Sequence, residues 1–313
     1  MRRADQLLDS VATGSRLALA RAVTRIELRD ADLTEALAAR IVRRRAGPGH
    51  PHVLGLTGPP GAGKSTLADA LLAEARSRGE RVAVVAVDPS SPFTGGAILG
   101  DRIRMERHTE DDQVFVRSLS SRGHVGGLTP STSAVVDLLD HAGFDRVLVE
   151  TVGVGQSELG VLEVADTVCV VLTPESGDAV QAMKAGLLEA ADLFVVNKAD
   201  RPGAPQLVRE LERAVALSEP AGWIPPVLSV VATEARGVDA VVRAVEAHLA
   251  WCSGDGRASW DRRRGDARVR LVLDLVAEQA RDRAAARLRD DPVLAAEVRN
   301  GHDAAHTVAG RIA

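Results

Sequence analysis

The run Gly58-Pro59-Pro60-Gly61-Ala62-Gly63-Lys64-Ser65-Thr66 limits what this chain can fold into more than any other stretch, because it fits G-x-x-x-x-G-K-[ST]. That pattern works only between a strand and a helix. Residues 53–57 have the character of a short buried strand, and residues 67–75 behind the motif are rich in Ala and Leu, as a helix would be. Glycines let the backbone curl until successive N–H groups face one phosphate, with the positive end of the new helix behind them. In that arrangement Lys64 reaches the β- and γ-phosphates and Ser65 turns its hydroxyl toward Mg²⁺. Gly58, Pro60, Gly61, Ala62, Gly63 and Thr66 complete the loop.

Downstream, strand-like and helix-like segments alternate. Strands are expected at 53–57, 81–87, 114–117, 146–150, 167–172, 193–197 and 226–230, with helices at 64–77, 130–141, 179–190, 204–217 and 238–250. Alternation of this kind gives an α/β domain with a mostly parallel sheet flanked by helices, whose carboxyl-end loops gather on one edge. Residues 1–46 form a helical extension in which Leu17, Leu19, Ala20, Val23 and Ile26 make one apolar face, and Asp32-Leu33-Thr34-Glu35 resembles a capping box. The P-loop domain then occupies 47–251. Residues 252–266 are polar and Gly-rich, the expected bend before a second helical region at 252–313. There Val269, Val272, Leu273, Val276, Ala280, Ala284 and Leu288 recur at helical spacing, a stripe that either folds back on its own sheet or pairs with another subunit.

A net charge of −4 supplies no basic field for nucleic acid, and aromatics at 2% leave no base-stacking surface. No stretch reaches the length that spans a bilayer, and the start of the chain has no apolar leader, so a soluble cytoplasmic protein without a membrane partner is expected. Cys169 and Cys252 have no paired spacing, which suits a reducing compartment.

A phosphate loop does not choose between ATP and GTP; the base reader does. Asn197-Lys198-Ala199-Asp200, at the end of the sixth strand, fits N-K-x-D. The Asp200 carboxylate can accept guanine N1–H and N2–H₂ together, donors that adenine does not offer in that arrangement. Lys198 can lay its stem on the base and Asn197 can brace the loop. The fourth strand ends in Glu150-Thr151-Val152-Gly153, with Glu where many GTPases carry the Asp of D-x-x-G. A carboxylate there can hold a water of Mg²⁺, and the Gly153 N–H can meet the γ-phosphate. Asp88, at the end of the second strand, and Asp101, in the long loop beyond it, share two roles: one orients or deprotonates the attacking water, the other joins the metal shell. The assignment can be exchanged, and Asp88-Pro89-Ser90 is also an ordinary turn sequence.

These motifs, with Val87-Asp88-Pro89-Ser90-Ser91-Pro92-Phe93-Thr94-Gly95-Gly96, Leu99-Gly100-Asp101-Arg102, Arg122-Gly123-His124-Val125-Gly126-Gly127 and Gly155-Gln156-Ser157-Glu158, resemble the MeaB/ArgK GTPases. That family comprises G-protein chaperones of adenosylcobalamin-dependent acyl-CoA mutases, especially methylmalonyl-CoA mutase. The resemblance runs over about residues 14–238. It implies a SIMIBI-class P-loop fold, GTP and GDP with Mg²⁺ as cofactors, slow hydrolysis stimulated by the mutase, and a homodimer made partly by the C-terminal helices. It also implies that GTP gates cofactor transfer into the mutase and helps expel damaged cobalamin. Gln156, and Asp178, Gln181 and Lys184 of a third loop, become partner-sensing residues, although N-capping accounts equally well for Asp178. Val231-Ala232 stands where the family has Ser-Ala, keeping the Ala232 N–H for guanine O6 and losing a hydroxyl.

Two other functions compete. A transport-associated kinase would use ATP, and the guanine reader argues against it. A nickel-insertion GTPase needs metal ligands, whereas the eight histidines are scattered and only His302 and His306 stand at helical spacing. The chain also lacks the D-x-H-x-x-G cobalamin signature, so any effect on cobalamin acts through a partner.

Overall fold

Strands made of unbroken apolar runs must be covered on both faces. The computed structural model describes residues 2–44, 50–88, 108, 110–120, 130–151, 160–175, 187–217 and 222–300. Its strands are β1 (His52–Thr57), β2 (Val82–Asp88), β3 (Val114–Ser120), β4 (Arg146–Thr151), β5 (Thr167–Leu172), β6 (Leu193–Asn197) and β7 (Val227–Val230). All pair in parallel, in the order β3-β2-β4-β1-β5-β6-β7. The direction of winding reverses at β1, which lies between β4 and β5. A reversal of this kind opens a crevice at the carboxyl ends of the strands, and the Gly58–Thr66 loop leaves β1 at that point.

The helices are α1 (Arg2–Ala12), α2 (Arg16–Glu27), α3 (Ala31–Arg44), α4 (Lys64–Ser77), α5 (Pro130–His141), α6 (Leu187–Ala190), α7 (Ala204–Leu217), α8 (Val238–Ser253), α9 (Arg257–Asp290) and α10 (Pro292–Asn300). Two compact units divide the chain, Met1–Arg262 and Arg263–Ala313. In the first unit the strand period of two sends alternate residues to opposite layers. Leu54, Leu56, Leu148, Cys169 and Val171 pack with α4 and α8. Val53, Val147 and Val149 face α1, α2, α3 and α5, while Val168, Val170 and Leu172 face α7 on the same side of the sheet. Each fully buried Leu or Val in these layers contributes about 1.5–3 kcal/mol relative to exposure.

Local sequence explains most boundaries. Ser15 caps α2 by accepting from Ala18 N, and Pro130 opens α5, where its missing N–H is no loss. Three expectations shift. The cap of α3 is Asp30, not Asp32: Leu33 N donates to Asp30 Oδ1 at 3.0 Å, and that bond, joined by the Arg25 guanidinium, holds the Asp30 carboxyl below its usual range. Leu17, placed by spacing on the apolar face of α2, is exposed, while Ala18 and Ala22 are buried in its stead. The bend expected over 252–266 contracts to a turn at Gly254–Gly256. Residues 257–290 form one helix, α9, that includes Gly265, its first turn supported by the Arg257–Asp261 pair at 2.9 Å. Of the helix expected at 179–190, only α6 falls within the described residues.

In the second unit, the α9 stripe residues Val269, Val272, Leu273 and Val276 are exposed, and Leu294 of α10 is buried.

Candidate functional site

The loop after β1 is pinned between two strand ends. Gly58 takes φ +138° and Gly63 φ +85°. A Cβ at Gly58 would collide with the Val171 carbonyl of β5, and one at Gly63 with the Asn197 side-chain amide at the end of β6, so neither position admits a side chain. Helix α4 therefore opens on a glycine without a side-chain cap, and its first N–H groups face the concavity of the loop. Lys64 is buried, and its Nζ donates to Gly58 O at 2.6 Å and Pro59 O at 2.9 Å, which folds the ammonium back over the loop.

Parallel register sets the acidic residue beside it. Glu150 of β4 pairs with Leu56 of β1, one strand over and just short of the loop. Both Ser65 and Glu150 are buried, and Ser65 Oγ donates to Glu150 Oε1 at 2.7 Å. A hydroxyl and a carboxylate side by side are hard oxygen donors, the set that suits Mg²⁺ and not a softer metal. The longer Glu in place of Asp brings its carboxylate into direct contact with the loop serine. Thr151 Oγ1, 3.2 Å from Thr57 Oγ1, ties the two strand ends together above this pair.

On the base side, Asn197 is buried and braces in two directions. Its Nδ2 donates to Ala62 O at 2.9 Å, and its Oδ1 accepts from Ala232 N at 3.2 Å. One side chain thus links the phosphate loop, the end of β6 and the turn after β7. The Ala232 N–H, which the family resemblance assigns to guanine O6, has this partner within the protein. Val231 is buried and bridges to Arg236. Lys198 adopts φ +54°, a left-handed conformation that turns the chain sharply and leaves Asp200 exposed. Glu175, beyond β5, meets Lys198 Nζ at 3.3 Å and also pairs with Arg201. The family resemblance puts Glu175 in the third loop and the motif makes Asn197 a brace, but the sequence gives neither the two directions of that bracing nor the ion pairs of Glu175. No short-range spacing ties Ala62, Asn197 and Ala232, or Glu175 and Arg201; only the sheet order brings them together.

Lys64, Ser65, Glu150, Asn197, Lys198, Asp200, Val231 and Ala232 therefore share the carboxyl edge, with Gly58, Pro60, Gly61, Ala62, Gly63 and Thr66 forming the loop among them. Asp88 ends β2 on the same edge, in register with Ser120. Asp101, Gly153, Gln156, Asp178, Gln181 and Lys184 lie outside the described residues, as do His302 and His306.

A parallel sheet that carries a phosphate loop and an N-K-x-D turn on one edge defines a P-loop GTPase. The chain belongs to the MeaB/ArgK family: residues 19–289 match the family described as methylmalonyl Co-A mutase-associated GTPase MeaB. A putative GTPase of Pyrococcus horikoshii is 45% identical over 269 residues, covering 84% of this chain and 83% of that protein. GTPase ArgK of Escherichia coli is 39% identical over 238 residues, 74% of this chain and 72% of its own. Among solved structures, one described as LAO/AO transport system kinase superposes with a TM-score of 0.71 at 28% identity, covering 100% of this chain and 97% of that one. Family membership makes the chain a GTP-hydrolysing enzyme of the chaperone class linked to cobalamin-dependent mutases, with GTP, GDP and Mg²⁺ as cofactors.

Proposed function

We propose that this GTPase gates the loading of adenosylcobalamin into an adenosylcobalamin-dependent acyl-CoA mutase, such as methylmalonyl-CoA mutase, and protects or reactivates that enzyme. The observation that carries the site assignment is Asn197, whose side chain joins the phosphate loop to the guanine-type turn, so that occupancy of one is felt by the other. Lys64 exchanges two neutral carbonyl acceptors for anionic phosphate oxygens, a stronger charge-assisted bond, and so draws the β- and γ-phosphates onto the loop. Ser65 and Glu150 are the residues that would hold Mg²⁺, which supplies charge neutralisation at the phosphate oxygens when bound. Asp88 and Asp101 divide the remaining work, one positioning the attacking water and the other joining Ser65 and Glu150. The Gly153 N–H senses the γ-phosphate. Asp200 reads the base, Lys198 covers it, and Val231 and Ala232 close the pocket behind it. Gln156, Asp178, Gln181 and Lys184 report the state of the site to the mutase.

The same reading makes the protein a cytoplasmic homodimer. Its support is the exposed stripe Val269, Val272, Leu273 and Val276, at 60, 57, 62 and 55% exposure an apolar surface that a second subunit would cover. Among the described residues no helix is long and apolar enough to cross a membrane. The boundaries 1–46, 47–251 and 252–313 assign the flanking helices to packing and association and the central part to turnover.

The test is hydrolysis of GTP and ATP by the purified chain, alone and with candidate adenosylcobalamin-dependent mutases. Stimulated GTP turnover with one mutase supports the proposal and names the partner. GTP turnover that no candidate mutase alters leaves the GTPase standing and sends the search to other clients. Preference for ATP would favour the kinase reading suggested by the name of the solved relative. In Asp200→Ala, unchanged GTP affinity would remove Asp200 as the base reader.

A further inference from the structure

The carboxylate of Glu175 holds two cations of the base-reading turn at once. Lys198 Nζ lies 3.3 Å from Glu175 Oε2, and Arg201 pairs with Oε1. The neighbouring Pro174 supports the same junction, since a Cβ added at Gly203 would come within 3.5 Å of Pro174 Cβ. Arg201 is the residue next to Asp200, and Arg201 N donates to Lys198 O at 3.0 Å, so the turn is tight. An arginine beside an aspartate has an obvious alternative: a two-pronged pair with that carboxylate. Such a pair would occupy the two oxygens that guanine N1–H and N2–H₂ need. A base reader closed in that way reads nothing.

We propose that Glu175 is a positioning residue for guanine selection, holding Arg201 away from Asp200 so that the Asp200 carboxylate meets the base. This rests on the assignment of Asp200 as the reader. Glu175, Lys198 and Arg201 side chains are 43, 30 and 47% exposed, so each pair is individually weak and sensitive to salt. The effect is therefore one of selectivity and retention. Turnover at saturating GTP is set on the phosphate side of the loop and stays as it is.

The experiment measures dissociation constants for GDP and for inosine diphosphate, which lacks the exocyclic amino group, on the full chain at low salt. The variants are Glu175→Gln, Glu175→Gln combined with Arg201→Gln, and Asp200→Ala. Glu175→Gln is expected to weaken GDP about three- to ten-fold and to narrow the preference for GDP over inosine diphosphate. Removing Arg201 as well is expected to restore GDP binding toward the parent value, because the competing cation has gone. Parent-like GDP binding in Glu175→Gln overturns the proposal. A double variant as weak as the single one also overturns it, since Glu175 would then act by packing and not by charge. Asp200→Ala separates the two levels: GDP preference retained there removes the reader assignment itself, whereas preference lost there alongside an inert Glu175→Gln leaves the reader and rejects only the role of Glu175.

Discussion

At the carboxyl edge of the sheet, Ser65, Glu150 and Asn197 are buried but border a turn whose Asp200 is open to solvent; at the amino edge, His52, Thr167, Asp192 and His248 form a buried polar cluster. His52 at the start of β1 and His248 of α8 share the Thr167 hydroxyl of β5, at 3.0 and 2.8 Å. His248 Nε2 lies 3.3 Å from Asp192 Oδ1, and Asp192 Oδ2 accepts Val168 N at 2.7 Å. Trp223 and Trp251 flank His248 with ring centroids 5.0 and 5.8 Å away. Burial pushes the His52 imidazole down to about 3, reinforced by the charge of Arg146 and by His248, with Asp192 opposing. A strongly shifted pKa often marks a functional site. Here it marks the end of the sheet that holds strands together, while the phosphate and base residues stand at the other end.

Lys64→Ala separates the edges most sharply. Loss of the loop ammonium is expected to lower GTP turnover about a hundred-fold or more, measured in single-turnover hydrolysis, with the denaturant midpoint close to the parent. A large drop in that midpoint would show that Lys64 supports the loop's fold as much as its chemistry, through Gly58 O and Pro59 O. Asp192→Ala should do the reverse. It removes the acceptor of Val168 N and the partner of His248, for a destabilisation of about 2–3 kcal/mol by denaturant unfolding, while the folded fraction binds GDP within about two-fold of the parent. A ten-fold loss of GDP affinity would mean that the edges are coupled through β5, and the contrast between them would fail.

The next effect depends on pH. His52 is neutral when folded, with a pKa of about 3, and takes its ordinary value when unfolded. Its contribution is complete above the unfolded pKa. As pH falls below that value the unfolded chain binds a proton that the folded chain refuses, so stability declines on the way to the folded pKa. Between pH 7 and 5 the loss from this group is roughly 1–2 kcal/mol. Unfolding midpoints across that range should show it, and His52→Gln should flatten the slope. An unchanged slope in His52→Gln would assign the proton uptake to another group.

The two edges were also unequally legible. The carboxyl edge could be read because its chemistry is local. Gly58 to Thr66 is contiguous, as is Asn197 to Asp200, and runs such as Thr167-Val168-Cys169-Val170-Val171-Leu172 mark a strand buried on both faces. The ends of α4 and α7 follow from the same periodicity. The amino edge had no such signature. His52, Thr167, Asp192 and His248 meet only because β1, β5 and β6 are neighbours, an order that the sequence does not spell out. Asn197 shows both cases: its motif identifies it, but its bonds to Ala62 and Ala232 depend on the fold. Local propensity also failed where two local solutions compete. Asp30 and Asp32 can each cap α3, and the Arg25 pair decides for Asp30. Gly265 reads as a breaker, yet a single glycine costs a helix only about 1 kcal/mol against alanine, and a long charged helix absorbs that.

The smallest effect tests how far the closure of the amino edge depends on its aromatic wall. Trp223 Nε1 donates to Asp192 O at 2.7 Å, and its ring stands edge-on to His248. Trp223→Phe keeps most of the apolar area and removes the donor, so the Asp192 carbonyl loses one neutral hydrogen bond, a change of about 0.5–1.5 kcal/mol. Because Trp223 is only partly buried, water can reach that carbonyl after the substitution, which favours the lower end. The measurement is a denaturant titration followed by far-ultraviolet circular dichroism, paired with GDP affinity, which should not move. A loss near the upper end, with the acid slope of His52 also reduced, would show water entering the cluster: the indole would then be the seal that keeps the histidine neutral, and not merely one more bond to Asp192.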